Sequence, residues 1–334
     1  MKSLRLLIAL LLFSLLGCSD ERRIAPNQIG ENGCSTPTTR DAGGEQADSP
    51  YRSGMMALLG SRFQSFEELK SVIRIEYFTK GSTSGDSGKV NSMVLVSDCS
   101  NGHEVINILK AGISQGEISK ARDGDLADRI KVLLKSPYAV GKRAELSKVY
   151  NLARRRTDLF GEGDPAFFDL AKAAEQNINT DDLAFITARD SSEKGYINTF
   201  NHMTAQAFIT SCFSEKLADF VGDTHERYYH PELITGKFSE KEIRDLDEGP
   251  VDNYVDVINN EWGQELGKAL RKKYHITRET RWTPELLANY LNDIQSYYSW
   301  AFRIGFKPFQ PEDELVIRFS RKMNVVLHGN FNIK

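Results

Sequence analysis

Two histidines and a series of acids and amides lie in three short groups of this chain. The first is Asn198-Thr199-Phe200-Asn201-His202, opening an otherwise apolar stretch from Met203 to Phe213. The second is Asp223-Thr224-His225-Glu226, and the third is Asp252, Asp256, Asn259, Asn260 and Gly263. Imidazole nitrogens and carboxylate oxygens together suit a divalent metal. They also suit general acid–base chemistry. The expected metal ligands are His202, His225, Glu226 and Asp256, and Asn259 joins them as a candidate catalytic residue. In a hydrolase His225 would serve as base or ligand, Glu226 and Asp256 as its carboxylate partners, and His202 as a second ligand or acid.

Helices must bring these groups together. At about 100° per residue, Asp252, Asp256, Asn259, Gly263 and Gly267 fall on one narrow line. Val255, Ile258, Trp262, Leu266 and Ala269 form the adjacent apolar face. The polar line therefore borders a buried seam. Two glycines within a helix each cost about 1 kcal/mol relative to Ala, so a backbone or a ligand is expected to approach closely there. His225 continues the Leu217–Val221 stripe and should point inward. Phe200 and Met203 place the His202 helix in the core.

The same residue types also satisfy one another inside helix cores without catalysing anything. Asp252, after Gly249-Pro250, also fits a helix N-cap. A hydrolase predicts convergence in an open cleft. A packing network predicts the same residues buried, bonded to one another and without a pocket. His225-Glu226-Arg227-Tyr228-Tyr229-His230 is not the zinc-protease motif, because its second His is at i+5 rather than i+4. The chain has neither a Gly-rich phosphate loop nor a Gly-x-Ser-x-Gly elbow.

The three groups resemble a bacterial helical domain family of unknown function. Its members carry an Asn-x-Phe-Arg-His helix start, an Ala-His-Glu, and an Asp-x-x-Asn-Asn-x-x-Gly helix. The matching residues are Asn198, Phe200 and His202; His225 and Glu226; and Asp256, Asn259, Asn260 and Gly263. Asn201 stands where the family has Arg, and Thr224 where it has Ala. The likeness spans roughly residues 195–270. It implies a helical core with a polar centre and supplies no reaction.

The start of the chain speaks to location. Lys2 and Arg5 precede an apolar run from Leu6 to Leu16, which is of secretory length. Leu15-Leu16-Gly17-Cys18 resembles the lipobox of bacterial lipoproteins. The resemblance implies a signal peptide over residues 1–17, acylation of Cys18, and anchoring in the cell envelope. Ser19 after the Cys favours the outer membrane. Residues 18–50, rich in Gly, Ser, Pro and charge, read as a disordered tether. Of the remaining cysteines, Cys34 and Cys99 are the more plausible pair, and Cys212 reads as a small buried hydrophobe.

The fold expected is mainly α, with a small β-containing N-terminal part. Residues 51–113 form a small α/β region and residues 114–334 a helical domain. A short helix is expected over Phe66–Val72, and strands over Ile73–Phe78, Val90–Val96 and His103–Leu109. Residues 81–89 read as a hairpin loop, and Asp98–Gly102 as a turn. Helical spacing recurs in Leu126–Leu134, Ala144–Leu152, Phe167–Ala174, Ile197–Phe213, Glu215–His225, Tyr254–Leu270 and Pro284–Phe302. Glu312–Val326 fits helix or strand.

With 334 residues, 40% of them hydrophobic, and a net charge of −3, the chain can build a large core and shows no basic face for nucleic acid. Three functions fit an anchored envelope protein. One is a metal-dependent or acid–base hydrolase. The second is a non-catalytic binding or scaffold lipoprotein. The third is a lipoprotein that neutralises a toxin or phage component, to which Tyr297, Tyr298, Trp300 and Phe302 could add a partner surface, although plain core packing is the better reading of these aromatics.

Overall fold

The computed structural model describes residues 56–79, 92–100, 102–246 and 249–329. The signal peptide, Cys18, Cys34, the 18–50 segment, the onset of order near Tyr51 and the 81–89 loop lie outside these residues. Among those described are fifteen α-helices and one three-stranded antiparallel sheet, so the fold is mainly α.

Local chemistry explains the N-terminal elements. Ser65 caps α1 (Phe66–Val72) by accepting the Glu68 N–H, and Glu67 and Glu68 suit the positive end of the helix dipole. The strands β1 (Arg74–Thr79), β2 (Ser92–Ser100) and β3 (His103–Lys110) form a meander. Ile75 faces Val96, Tyr77 faces Val94, and Val94 in turn faces Leu109. Period-two alternation puts these residues on one face, where Val94, Val96, Val105 and Leu109 are buried.

The expected turn over Asp98–Gly102 is shorter than its composition suggests, because β2 continues to Ser100. Asp98 pairs with Val105, and its carboxylate accepts the buried Trp262 indole N–H at 2.8 Å. That buried bond extends the strand through residues that favour a turn. Gly102 then takes φ +86°, a conformation open to glycine.

The helical part begins with α2 (Gln115–Asp123), α3 (Leu126–Lys135), α4 (Pro137–Gly141) and α5 (Arg143–Ala153). It continues through α6 (Thr157–Phe160), α7 (Phe167–Gln176) and α8 (Asp181–Ala184). The central helices are α9 (Tyr196–Cys212), α10 (Glu215–Tyr229) and α13 (Pro250–Lys273), with the short α11 (Glu232–Thr235) and α12 (Glu240–Arg244) between the last two. The chain closes with α14 (Pro284–Phe302) and α15 (Glu314–His328). Thr283 caps α14 by accepting the Leu286 N–H, with Pro284 in the first turn. The ambiguous Glu312–Val326 segment is helical because Val316, Phe319, Met323 and Val326, at helical spacing, all reach the core.

One hydrophobic core joins sheet and helices. The two glycines of α13 lie against the α9 backbone. A Cβ at Gly263 would stand 2.9 Å from the Met203 Cα and carbonyl oxygen, and one at Gly267 2.6 Å from the Ala207 carbonyl. The close approach expected there is therefore made by a helix. Phe200 stacks on Tyr298 at 4.0 Å between ring centroids. Tyr297 and Tyr298 are fully buried, and Trp300 and Phe302 pack against the same core. These aromatics are core packing, the reading favoured for them over a partner surface. Cys212 is buried and free, with its thiol pushed up to about 12 by burial. Cys99 is disulfide-bonded, and its expected partner Cys34 is outside the described residues. No helix among the described residues is long and apolar enough to cross a membrane.

Candidate functional site

Three helices each contribute one residue to a buried polar centre. His202 comes from the second turn of α9, Glu226 from the last turn of α10, and Asp256 from the second turn of α13. One ligand atom from each lies within 4.8 Å of the other two. His202 Nε2 is 3.3 Å from Asp256 Oδ2. Glu226, only 2% exposed, receives the Asn260 amide at 3.4 Å on Oε1. Its other oxygen, Oε2, has no hydrogen-bond partner among the described residues.

Asn260 links two of the three. Its Oδ1 is 3.0 Å from His202 Nδ1, and its Nδ2 donates to Glu226. With Oδ1 as acceptor, the proton of a neutral His202 ring sits on Nδ1. The Nε2 lone pair then points at the Asp256 carboxylate. Two acceptors facing each other in a buried place repel unless a proton or a cation lies between them.

Asn198, one turn before His202 on α9, braces the acids. Its amide donates to Asp256 Oδ1 at 2.9 Å and to Asp252 Oδ1 at 3.1 Å. Lys194 reaches Asp252 Oδ2 at 3.2 Å from the more open side. Gly249 precedes α13, so Asp252 is inside the helix and is not its cap. Burial, with the neighbouring Asp256 charge adding to it, pushes the Asp252 carboxyl up to about 7. Glu226 is likewise raised well above the usual carboxyl range, by burial first and then by Asp256, Asp252 and Asp223.

Beyond Glu226 the acidic character continues. Asn107 on β3 donates to Asp223 and to Glu261, and Arg227 pairs with Asp223 at 2.7 Å. Burial raises both of these carboxyls, strongly at Glu261. The centre is thus rich in carboxylate, with Lys194 and Arg227 at its margins.

Three of the four expected metal ligands therefore converge, and the fourth does not. His225 stands beside the trio, its ring 5.9 Å from that of His202, and its Nδ1 is 2.8 Å from Gln115 Oε1. Burial lowers its basicity to about 3, with the nearby His202 and His230 adding to the effect. It is a neutral neighbour of the centre. Asn259, expected as catalytic, is also elsewhere. Its Oδ1 accepts the Leu58 N–H and its Nδ2 donates to the Leu58 carbonyl, both at 2.9 Å. It clamps the segment before α1 onto α13.

Sequence reasoning left Asn198 and Asn260 outside the site itself, although both belong to the quoted motifs. The signal was present: Asn198 and His202 are four apart, and so are Asp256 and Asn260, which puts each pair on one helix face. The void lined by Asn107, Gly222, Asp223, Glu226, Asn260 and Glu261 measures about 180 Å³ and has no room for a water-sized sphere. Glu226 and Asp256 are 2% and 5% exposed and the His202 side chain 12%, so the three ligand residues are enclosed and do not stand in an open cleft. A larger groove of about 570 Å³, between Trp282–Glu285 and Ile317–Asn324, is lined by none of these groups.

No family model, curated protein or solved structure matches the chain.

Proposed function

We propose that the protein is a lipid-anchored component of the bacterial cell envelope, held at the outer membrane through acylated Cys18. Its helical domain binds a divalent cation between His202, Glu226 and Asp256. The observation behind the cation is a surplus of acceptors: His202 Nε2 faces Asp256, and the buried Glu226 keeps Oε2 without a donor among the described residues. An ion with ligands at about 2.1 Å in tetrahedral array places neighbouring ligand atoms about 3.4 Å apart. Side-chain movements of up to about an ångström would close the present spacing of up to 4.8 Å. A donor set of one imidazole and two carboxylates, without thiolate, suits zinc, manganese or ferrous iron.

The ligands come from three separate helices, so the ion acts as a staple between α9, α10 and α13. A catalytic metal keeps a position open for water or substrate, and the closed surroundings do not favour one. The binding or scaffold role is accordingly preferred to the hydrolase. The acceptor at His202 Nε2 can also be satisfied by a second proton on the ring, which would make the centre a packing network with the same closed geometry.

Thermal unfolding separates these two. The full chain is stripped with chelator and then given Zn²⁺ or Mn²⁺. Saturation at 100 times the dissociation constant adds about 2.7 kcal/mol, which in a chain of this size raises Tm by roughly 4 °C. The shift should be absent in His202→Ala. No shift with either metal in the parent would leave the proton network in its place. Mass spectrometry of the mature chain checks the anchor, which predicts acyl chains on Cys18 and none in Cys18→Ser.

A further inference from the structure

Helix α3 turns its apolar stripe outward. Leu126, Ile130, Leu133 and Leu134 fall at i, i+4, i+7 and i+8, on one face. They are 73%, 45%, 39% and 75% exposed. Only Val132, on the opposite side, is buried. In α15 the equivalent stripe of Val316, Phe319, Met323 and Val326 is buried. Val140 of the neighbouring α4 extends the exposed patch at 43%.

The charges beside this stripe are of one sign. Arg129 and Lys131 flank it on its two sides and are exposed, while Lys135, on the far side of the helix, pairs with Glu117 of α2. The one acid within α3, Asp128, is turned inward, its side chain 18% exposed and near Lys120 and Lys131. Asp125 at the start of the helix accepts the Asp128 N–H as its cap. An apolar stripe bordered by Lys and Arg is the pattern of a helix that lies in a bilayer surface, with cations at the phosphates and leucines among the upper acyl chains.

We infer that α3 is a membrane-docking helix, seated by Leu126, Ile130, Leu133 and Leu134 in a phospholipid surface of net negative charge. The inference extends the proposed anchoring at Cys18 and does not require it. The chain between Cys18 and Met56 spans at most about 130 Å, so a lipid at Cys18 leaves α3 within reach of the same membrane. Docking would fix the orientation of the domain, which a lipid on one residue does not.

The test uses the full chain with Ile130→Trp, an exposed position that accepts the larger ring, on vesicles of phosphatidylethanolamine and phosphatidylglycerol with brominated acyl chains. Trp262 and Trp282 are buried and Trp300 is half-buried, so the parent's own change supplies the background. The expected result is that emission from position 130 falls at least twofold beyond the parent's change. Adding Leu126→Asp and Leu134→Asp should abolish that quenching. The mass of the same sample reports acylation. Quenching without acylation supports docking and overturns the anchor. An acylated chain with position 130 unquenched overturns docking, keeps the anchor and assigns the face to a protein partner. A chain neither acylated nor quenched overturns both.

Discussion

His202 and Asp256 meet across the contact between α9 and α13, with Nε2 and Oδ2 3.3 Å apart. The contact is close because Gly263 and Gly267, one and two helical turns further along α13 from Asn259, let the two backbones touch. Helix packing and the polar centre are thus parts of one arrangement. The small residues set the helix separation, and that separation sets the distance between imidazole and carboxylate.

Gly267→Ala should loosen this contact. The new Cβ would meet the Ala207 carbonyl at 2.6 Å and the Thr210 Cβ at 2.8 Å, where backbone cannot yield cheaply. Overpacking of this kind costs about 1–3 kcal/mol. Denaturant unfolding in the presence of chelator should show a lower midpoint with an unchanged slope.

The Asp252 carboxyl provides a pH test. Its folded-state value is pushed up to about 7 by burial and by Asp256, against an unfolded value of about 3.9. Between these values the folded chain holds a proton that the unfolded chain has released. This contribution is therefore complete below about pH 4 and is lost as pH rises through 7, by on the order of 1.4 kcal/mol per pH unit at most. His225, lowered to about 3, opposes it, because stability falls as pH drops from about 6.5. In chelator, Asp252→Asn should gain stability relative to the parent as pH rises from 4 to 7. Equal pH dependence of the two would contradict the assignment.

Asn259→Ala tests the clamp. Both bonds to the Leu58 backbone would be lost; the carbonyl keeps the Thr199 hydroxyl at 3.1 Å, so the buried N–H alone is left without a partner, at about 1–3 kcal/mol. Hydrogen exchange at the Leu58 amide should accelerate more than exchange in α9, and metal binding should persist. Loss of metal binding without faster exchange at Leu58 would return Asn259 to the site.

Lys322 and Asp164 form a buried ion pair at 2.7 Å, with 2% and 1% side-chain exposure. The ammonium also donates to the Arg154 and Pro165 carbonyls, so its three donors are used. Lys322→Met should cost about 3–5 kcal/mol, because Asp164 is left charged and buried. Adding Asp164→Asn should recover part of that loss. Urea denaturation of the single and double variants measures both effects.

Much of the fold could be read from periodicity and capping. Phe66–Val72 and Pro284–Phe302 coincide with their expected spans because Ser65 and Thr283 mark the starts. Glu215–Tyr229 runs a turn beyond its expected end, since His225 and Glu226 are on the inward side and prolong the helix. The short α11 and α12 carry too few residues to show a period. At the centre, spacing along each helix indicated which residues share a face but not how far apart the helices stand. It therefore grouped His225 with the ligands, although Gln115 on α2, which has no motif, engages it. Asn259 and Asn260 are adjacent and chemically identical. Which of them faces Leu58 and which faces His202 is set by a rotation of about 100° around α13.

The most direct measurement is the metal content of the full chain purified without chelator, beside Glu226→Gln. The account predicts close to one equivalent of a divalent transition metal in the parent. Glu226→Gln should have almost none, yet should match or exceed the chelated parent in stability, because the amide replaces a buried carboxyl that burial already disfavours as a charge. A parent without metal that also fails to take up Zn²⁺ or Mn²⁺, or a Glu226→Gln variant that retains a full equivalent, would contradict a cation held by His202, Glu226 and Asp256.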